Sequence, residues 1–293
     1  MRSFSYVVLD VFTSQALAGN QLAVFTDGRG LSDADMRLLA KETNLSETTF
    51  IIPRDAAVER ERGVQVRIFT TEEELPFAGH PTLGTATVLR RNKEAKIELD
   101  LRVGKIPVTF EERGNEPAFG EMVQRNPEFG SIHKATDIAP IAGLKAEDFE
   151  GDLPIQTVST GMAFMIAPVK SLERIQAIDY QASVAKKYLQ HSDAKFIFFV
   201  CKQTVDPQAR LHARMIFYNG EDPATGSASG CAAAWMAKYG VAASNERVLI
   251  EQGIEMNRPS RIFVSAEKSD DQVVNVRVGG QAVEVARGEF KIP

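Results

Sequence analysis

The sequence predicts a mixed α/β (α+β) chain built as two related, pseudo-symmetric halves. Each half wraps strands around one central helix, and both helix N-termini face a cleft between the halves. Three observations lead there. Gly79-His80-Pro81-Thr82-Leu83-Gly84-Thr85-Ala86 aligns with Glu221-Asp222-Pro223-Ala224-Thr225-Gly226-Ser227-Ala228 at a constant offset of 142 residues, with Pro, Gly and Ala identical and Thr85 opposite Ser227. Arg67-Ile68-Phe69 precedes the first copy as Arg214-Met215-Ile216-Phe217 precedes the second. In both halves the order strand, capped helix, hairpin then recurs.

The second copy reads as a helix start. Asp222 is a strong N-cap type and Pro223 suits the first helical position, so the main-chain N–H groups near Gly226 and Ser227 lack intrahelical acceptors. Such an end attracts anions. In the first copy His80 takes the same cap position.

Composition narrows the function classes. The 293 residues suit one large or two medium domains. Thirty-four Lys and Arg against 39 Asp and Glu leave a net charge of −5, with no basic block, which argues against nucleic acid as a partner. Residues 1–12 carry one Arg and a short alternating apolar run, unlike a signal peptide and too short for a membrane span, so a cytoplasmic protein is expected. Cys201 and Cys231 are too few for a disulfide framework and lack the spacing of a zinc site.

Taken in order, Phe4 to Phe12 alternates as a strand, and Gln21 to Phe25 forms a second after a turn at Gly19-Asn20. Ser32 caps a helix, with Asp35 at the capping-box position and Met36, Leu39, Ala40 and Thr43 as its inward stripe, ending near Asn44. The next strand ends at Ile52-Pro53, which places Glu47 at a helix-to-strand junction. Arg54 to Arg62 reads as a charged hairpin loop and Val64 to Thr70 as a strand. Glu72-Glu73-Glu74 reads as a solvated loop, although its place beside the first motif also suits a lid. A helix from Pro81 to about Arg91 and a hairpin from Ile97 to Phe110, turning at Gly104, complete the half.

Glu111 to Pro127, rich in Gly, Glu, Asn and Pro, is the expected boundary, giving halves at 1–118 and 119–293, with the final strand able to pack on the first half. Beyond it come a helix around Asp137 to Leu144 and strands near Ile155 to Val158 and Ala163 to Val169. Helices within Ser171 to Ile178 and Gln181 to Gln190 follow, then strands Lys195 to Cys201 and Ala209 to Tyr218. After the second motif lie strands Arg247 to Gln252, Arg261 to Val264, Val273 to Val278 and Ala282 to Ala286, with a turn at Gly279-Gly280.

Several motifs in this order resemble the PhzF family of phenazine-biosynthesis isomerases. They are Asp10-Val11-Phe12, Gly19-Asn20-Gln21-Leu22-Ala23-Val24-Phe25, Leu45-Ser46-Glu47-Thr48-Thr49-Phe50, Glu74-Leu75-Pro76-Phe77-Ala78-Gly79-His80-Pro81, Glu221 to Ala228, and Gln252-Gly253-Ile254-Glu255-Met256-Asn257-Arg258-Pro259-Ser260. The resemblance spans nearly the whole chain. It implies a diaminopimelate epimerase-like fold, each half a mixed β-sheet barrel around a central helix, and a homodimer that uses no cofactor. It also implies that Glu47 transfers the proton, that His80, Asp222 and Ser227 line the cleft, and that Ser46, Gly79 and Gly226 contact a small-molecule carboxylate substrate. The chemistry suits such residues: moving a proton between carbons needs a carboxylate acting as base and then as acid, shielded from water, with fixed donors for the substrate's anionic group.

Each residue also has a plainer reading. A Glu at a strand start is commonly a solvated edge residue, an Asp before Pro a plain N-cap, and a His near a turn a surface group. Cysteine-pair epimerases of this fold carry Cys at the two helix starts, where this chain has His80 and Asp222. Cys231 shares a helical face with Ala228, Ala232, Trp235 and Tyr239 and reads as core. His133, His191 and His212 show no ligand spacing, so no metal site is expected. Three classes follow: a cofactor-independent isomerase of a dihydro-hydroxyanthranilate-like acid, a two-group epimerase or racemase using Glu47 with Asp222 or His80, and a binding protein on the same scaffold.

Overall fold

The computed structural model describes residues 1–90, 92–217 and 220–293, so the expected ends at Arg91 and Tyr218 lie outside the described residues. Two compact units emerge. One holds Met1–Val123 with Gly279–Pro293, and the other holds Gln124–Phe217 with Glu221–Val278.

In the first unit β1 (Arg2–Val11) runs antiparallel to β2 (Asn20–Phe25). The helix α1 (Asp33–Thr43) carries the expected capping box, Ser32 with Asp35, and ends at Asn44 in the left-handed conformation, φ 51°. This turn lets the chain reverse into β3 (Glu47–Ile52), parallel to β2. The charged segment that reads as a loop is instead α2 (Ala56–Arg62). Its Ala, Glu and Arg are good helix formers, and Gly63, at φ 90°, stops it. Next come β4 (Val64–Phe69), the two-residue β5 (Glu74–Leu75) and α3 (Gly79–Leu89), which begins two residues before Pro81. Glu74 is not a solvated loop residue: its carboxylate takes two hydrogen bonds from Arg67, at 2.8 and 2.7 Å.

The hairpin β6 (Lys96–Leu101) and β7 (Gly104–Arg113) follows, and β7 pairs with β8 (Glu116–Val123). Much of the stretch expected as the boundary, Glu111 to Pro127, is thus a hairpin, its turn made by Gly114 at φ 65°. Far along the chain β18 (Ala282–Ile292) pairs with β1 from end to end. The strands surround α3, which touches β1, β2, β3, β6, β7, β8 and β18. Gly79 to Ala86 of α3 are accordingly all buried, as expected of a central helix. Phe25 and Phe50 stack at 4.8 Å under α1, and Phe69 meets Phe50 edge to face at 5.6 Å.

The second unit opens with β9 (Glu128–His133), a strand the sequence reading did not resolve, then α4 (Ala135–Ala142). Strands β10 (Ile155–Ser159), β11 (Ala163–Val169) and β12 (Phe196–Cys201) enclose α5 (Leu172–Gln176) and α6 (Ala182–Leu189) in sequence. Met165, Ala167, Val169, Ile197, Phe199 and Cys201 face the helices α4 to α6 in one core. Every residue of β12 is buried, which accounts for its unbroken apolar run Phe-Ile-Phe-Phe-Val-Cys. Strand β13 (Ala209–Phe217) and the short β14 (Gly220–Glu221) lead to α7 (Gly226–Tyr239), buried from Gly226 to Ala237 and packed on β10, β11 and β16. The strands β15 (Val248–Gln252), β16 (Ser260–Ser269) and β17 (Gln272–Gly280) follow α7, so Gly279-Gly280 lies within a strand and the turn into β18 falls at Gln281.

The two units repeat one pairing pattern. β1 to β4 pair antiparallel, parallel, antiparallel, as do β10 to β13. β4 is parallel to β6 as β13 is to β15. The register of the repeat differs from the sequence alignment. α3 starts at Gly79 and α7 at Gly226, an offset of 147 rather than 142. Paired guanidinium and carboxylate groups confirm it: Arg67 grips Glu74 with two hydrogen bonds, and Arg214 grips Glu221 with two at 2.7 Å. The Thr82 hydroxyl donates to Ala78 O as the Ser229 hydroxyl donates to Thr225 O. Asp222 is therefore neither an N-cap nor the counterpart of His80. The N-cap of α7 is Thr225, and Pro223 precedes the helix. No helix of the described residues is long and apolar enough to cross a membrane.

Candidate active site

Three elements of the first unit bring Glu47, His80 and Asn20 together. Glu47 opens β3 opposite Leu22 of β2, Asn20 opens β2, and His80 is the second residue of α3. A hydrogen bond of 2.9 Å between the Thr49 and Thr85 hydroxyls ties β3 to α3. Glu47 Oε2 lies 3.6 Å from His80 Nδ1, with the two side chains only 8% and 3% exposed, so the glutamate is not a solvated edge residue.

Asn20 Nδ2 lies 3.4 Å from the same Nδ1. Which of the two groups donates there is set by which ring nitrogen carries the hydrogen. Nε2 is buried and has no hydrogen-bond partner among the described residues. Burial pushes the His80 pKa down to about 3, the Gln21 main chain offsetting only a part. His80 is therefore a neutral imidazole whose Nδ1 lies beside a buried carboxylate and whose Nε2 is unspent among the described residues. That arrangement can accept a proton from carbon on Glu47 and hydrogen-bond a bound molecule through His80. Ser46 precedes Glu47 and is half-buried; Gly79 is buried in the first turn of α3.

The second unit holds Asp222, Gly226 and Ser227. Asp222 is buried in the loop before α7, and its Oδ2 accepts from the Thr225 hydroxyl at 2.5 Å. Gly226 and Ser227 are the first two residues of α7, whose first main-chain N–H groups have no acceptor within the helix. Gln124 Nε2 donates to Gly226 O at 3.1 Å, and Thr160 Oγ1 donates to Gln124 Oε1 at 2.6 Å. A side chain at position 230 would place its Cβ 1.9 Å from Gln124 Oε1, so Gly230 makes room for this brace. Asn20 and Gln252 stand within motifs visible in the sequence, but nothing in their spacing marks them as partners of His80 and Asp222.

Cys231 is wholly buried; its thiol is pushed up to about 11 by burial and lies 3.5 Å from the Thr160 hydroxyl. This is a core thiol, not a nucleophile. Among the described residues no group of three or more His, Cys, Asp or Glu could hold a metal ion.

A helix-centred α/β unit repeated twice is the fold class shared with a hydroxyproline epimerase from Agrobacterium vitis, a likeness of fold alone at 10% identity and TM-score 0.69 over 98% of this chain and 92% of that one. Within that class the chain belongs to the phenazine biosynthesis-like (PhzC-PhzF) family, which it matches over residues 9–288. A PhzF-family protein from Bacillus anthracis superposes with TM-score 0.89 at 26% identity, over all of both chains. A predicted epimerase from Pseudomonas aeruginosa superposes with TM-score 0.85 at 34% identity, covering 99% of this chain and 100% of that one. A trans-2,3-dihydro-3-hydroxyanthranilate isomerase from the same species is 31% identical over 97% of this chain and 98% of the relative. The chain is an enzyme of this isomerase family.

Proposed function

We propose that the enzyme moves a proton between carbons of a small cyclic carboxylic acid resembling dihydro-hydroxyanthranilate. Glu47 removes the proton as a base and returns it as an acid, while His80 hydrogen-bonds the substrate. Asp222 is the further catalytic group, and Ser46, Gly79, Gly226 and Ser227 bind the substrate, its carboxylate meeting main-chain N–H groups at a helix start. The observation that carries this reading is the buried Glu47 set 3.6 Å from a histidine that burial keeps neutral, in a chain 31% identical to a named isomerase of such an acid.

A single carboxylate that collects and returns one proton need not exchange it with water while substrate stays enclosed. Turnover of trans-2,3-dihydro-3-hydroxyanthranilate deuterated at the reacting carbon, in ordinary water, should give product that keeps part of its label by mass spectrometry. Glu47→Gln should lower turnover by about 10²-fold or more with substrate affinity largely kept. Unchanged turnover in that variant would exclude Glu47.

The second reading is a two-group epimerase in which Glu47 works with Asp222 or His80, and the 34% identical relative named a predicted epimerase favours it. There the incoming proton comes from a group charged by solvent before substrate binds. Complete washout of label in the parent enzyme would select it.

A further inference from the structure

Gln252 ends β15, is fully buried, and spends both ends of its side chain on the loop that carries Asp222. Its Nε2 donates to Asp222 O at 2.7 Å and to Thr225 Oγ1 at 3.0 Å, and its Oε1 accepts from Thr225 N at 2.9 Å. Because the amide NH2 can only donate, the Thr225 oxygen is an acceptor toward Gln252, and its own hydrogen goes to Asp222 Oδ2 at 2.5 Å. The rest of the loop is held from the same side. Ser260 Oγ donates to Pro223 O at 2.7 Å, and Gly253, at φ 78°, passes so close that a Cβ there would lie 2.6 Å from that oxygen.

Thr225 separates a positioning role from ordinary helix stabilisation. It occupies the N-cap of α7, where a threonine hydroxyl normally accepts from the N–H two or three residues on. Here the side chain makes no cap hydrogen bond. The hydroxyl is turned instead to the Asp222 carboxylate, so the helix forgoes a stabilising cap to hold an acidic side chain. A local departure from the favoured cap marks function more readily than folding.

We propose that Gln252 and Thr225 are positioning residues for the reaction: Gln252 orients the Thr225 hydroxyl, and that hydroxyl holds the Asp222 carboxylate in one rotamer. The inference rests on the role of Asp222 given above. Groups one step removed from the reacting atoms carry 10- to 100-fold effects when they orient those that touch them, by analogy with metal sites.

The test compares full-length Thr225→Val, Thr225→Ser, Gln252→Glu and Asp222→Asn with the parent. Thr225→Val and Gln252→Glu should lower kcat for trans-2,3-dihydro-3-hydroxyanthranilate about 10-fold or more with KM little changed, and Thr225→Ser should keep the parental rate. Added to Asp222→Asn, Thr225→Val should cost nothing further. Crystal structures of the Val and Glu variants should show the Asp222 carboxylate turned from its position. Parental kcat in Thr225→Val, or an unmoved Asp222 in both crystal structures, overturns the inference. If the parent does not convert this compound, the proposed substrate fails, and the crystal structures alone decide whether Gln252 and Thr225 hold Asp222.

Discussion

His80 shows how one buried ring makes a site sensitive to acid. Its folded-state pKa, pushed down to about 3 by burial, lies below the ordinary value of 6.5. The sign follows: above pH 6.5 the ring is neutral in both folded and unfolded chains, and as pH falls toward 3 only the unfolded chain gains the proton. The folded state should lose about 3 kcal/mol from this group between pH 7 and 4.5. Urea midpoints of parent and His80→Asn at the two pH values measure it. The parent should fall more steeply, and equal losses would show that the ring is not held neutral. The residue itself was visible in the sequence, as was Glu47. Their contact was not, because it depends on α3 starting at Gly79, and Ala78 offers no side-chain cap to signal that start.

At the scale of elements, the segment from β15 into β16 is anchored by a buried charge cluster. His212 on β13 meets Glu251 at 2.9 Å and Glu255 at 3.0 Å, and Glu251 accepts the main-chain N–H groups of Val205 and Asp206 at 2.6 and 2.7 Å. Burial alone would lower the imidazole, but the two carboxylates outweigh it and raise His212 to about 9. Its contribution is complete below pH 6.5 and is lost as pH rises through 9. Between pH 6 and 9.5 the folded state should lose on the order of 3 kcal/mol, a loss that His212→Gln should not show in the same denaturation series. A similar slope in both proteins would assign the alkaline loss elsewhere. The sequence showed three histidines without ligand spacing, and nothing local in it brings position 212 to positions 251 and 255; that follows from β13 running parallel to β15.

For the whole molecule, the duplicated architecture was legible because apolar periods and a strand running from Arg to Phe ahead of each motif, Arg67-Ile68-Phe69 and Arg214-Met215-Ile216-Phe217, survive in both halves. Its register was not. A match of Pro, Gly and Ala pointed to an offset of 142, whereas the helix starts and the Arg67–Glu74 and Arg214–Glu221 pairs set it at 147. Small residues recur wherever backbones pass closely, so identity among them is weaker than a repeated ion pair. Charge content also misled at Ala56–Arg62, where helix-forming side chains outweighed the look of a loop. The chain is proposed to assemble as a homodimer, and sedimentation should find one species of twice 32.2 kDa. A monomer at working concentrations would contradict this.

The pairing of β1 with β18 over its full length has a consequence for the order of events on the ribosome. β1 is among the first segments made, yet one of its two edges stays open until residues 282–292 have emerged, after the entire second unit. The first unit therefore cannot close while it is being translated. An exposed edge strand carrying Val7, Val8 and Leu9 invites pairing with other chains. The sheet of the first unit is thus completed by the last strand to be made, and until then β1 presents an edge that the finished protein does not.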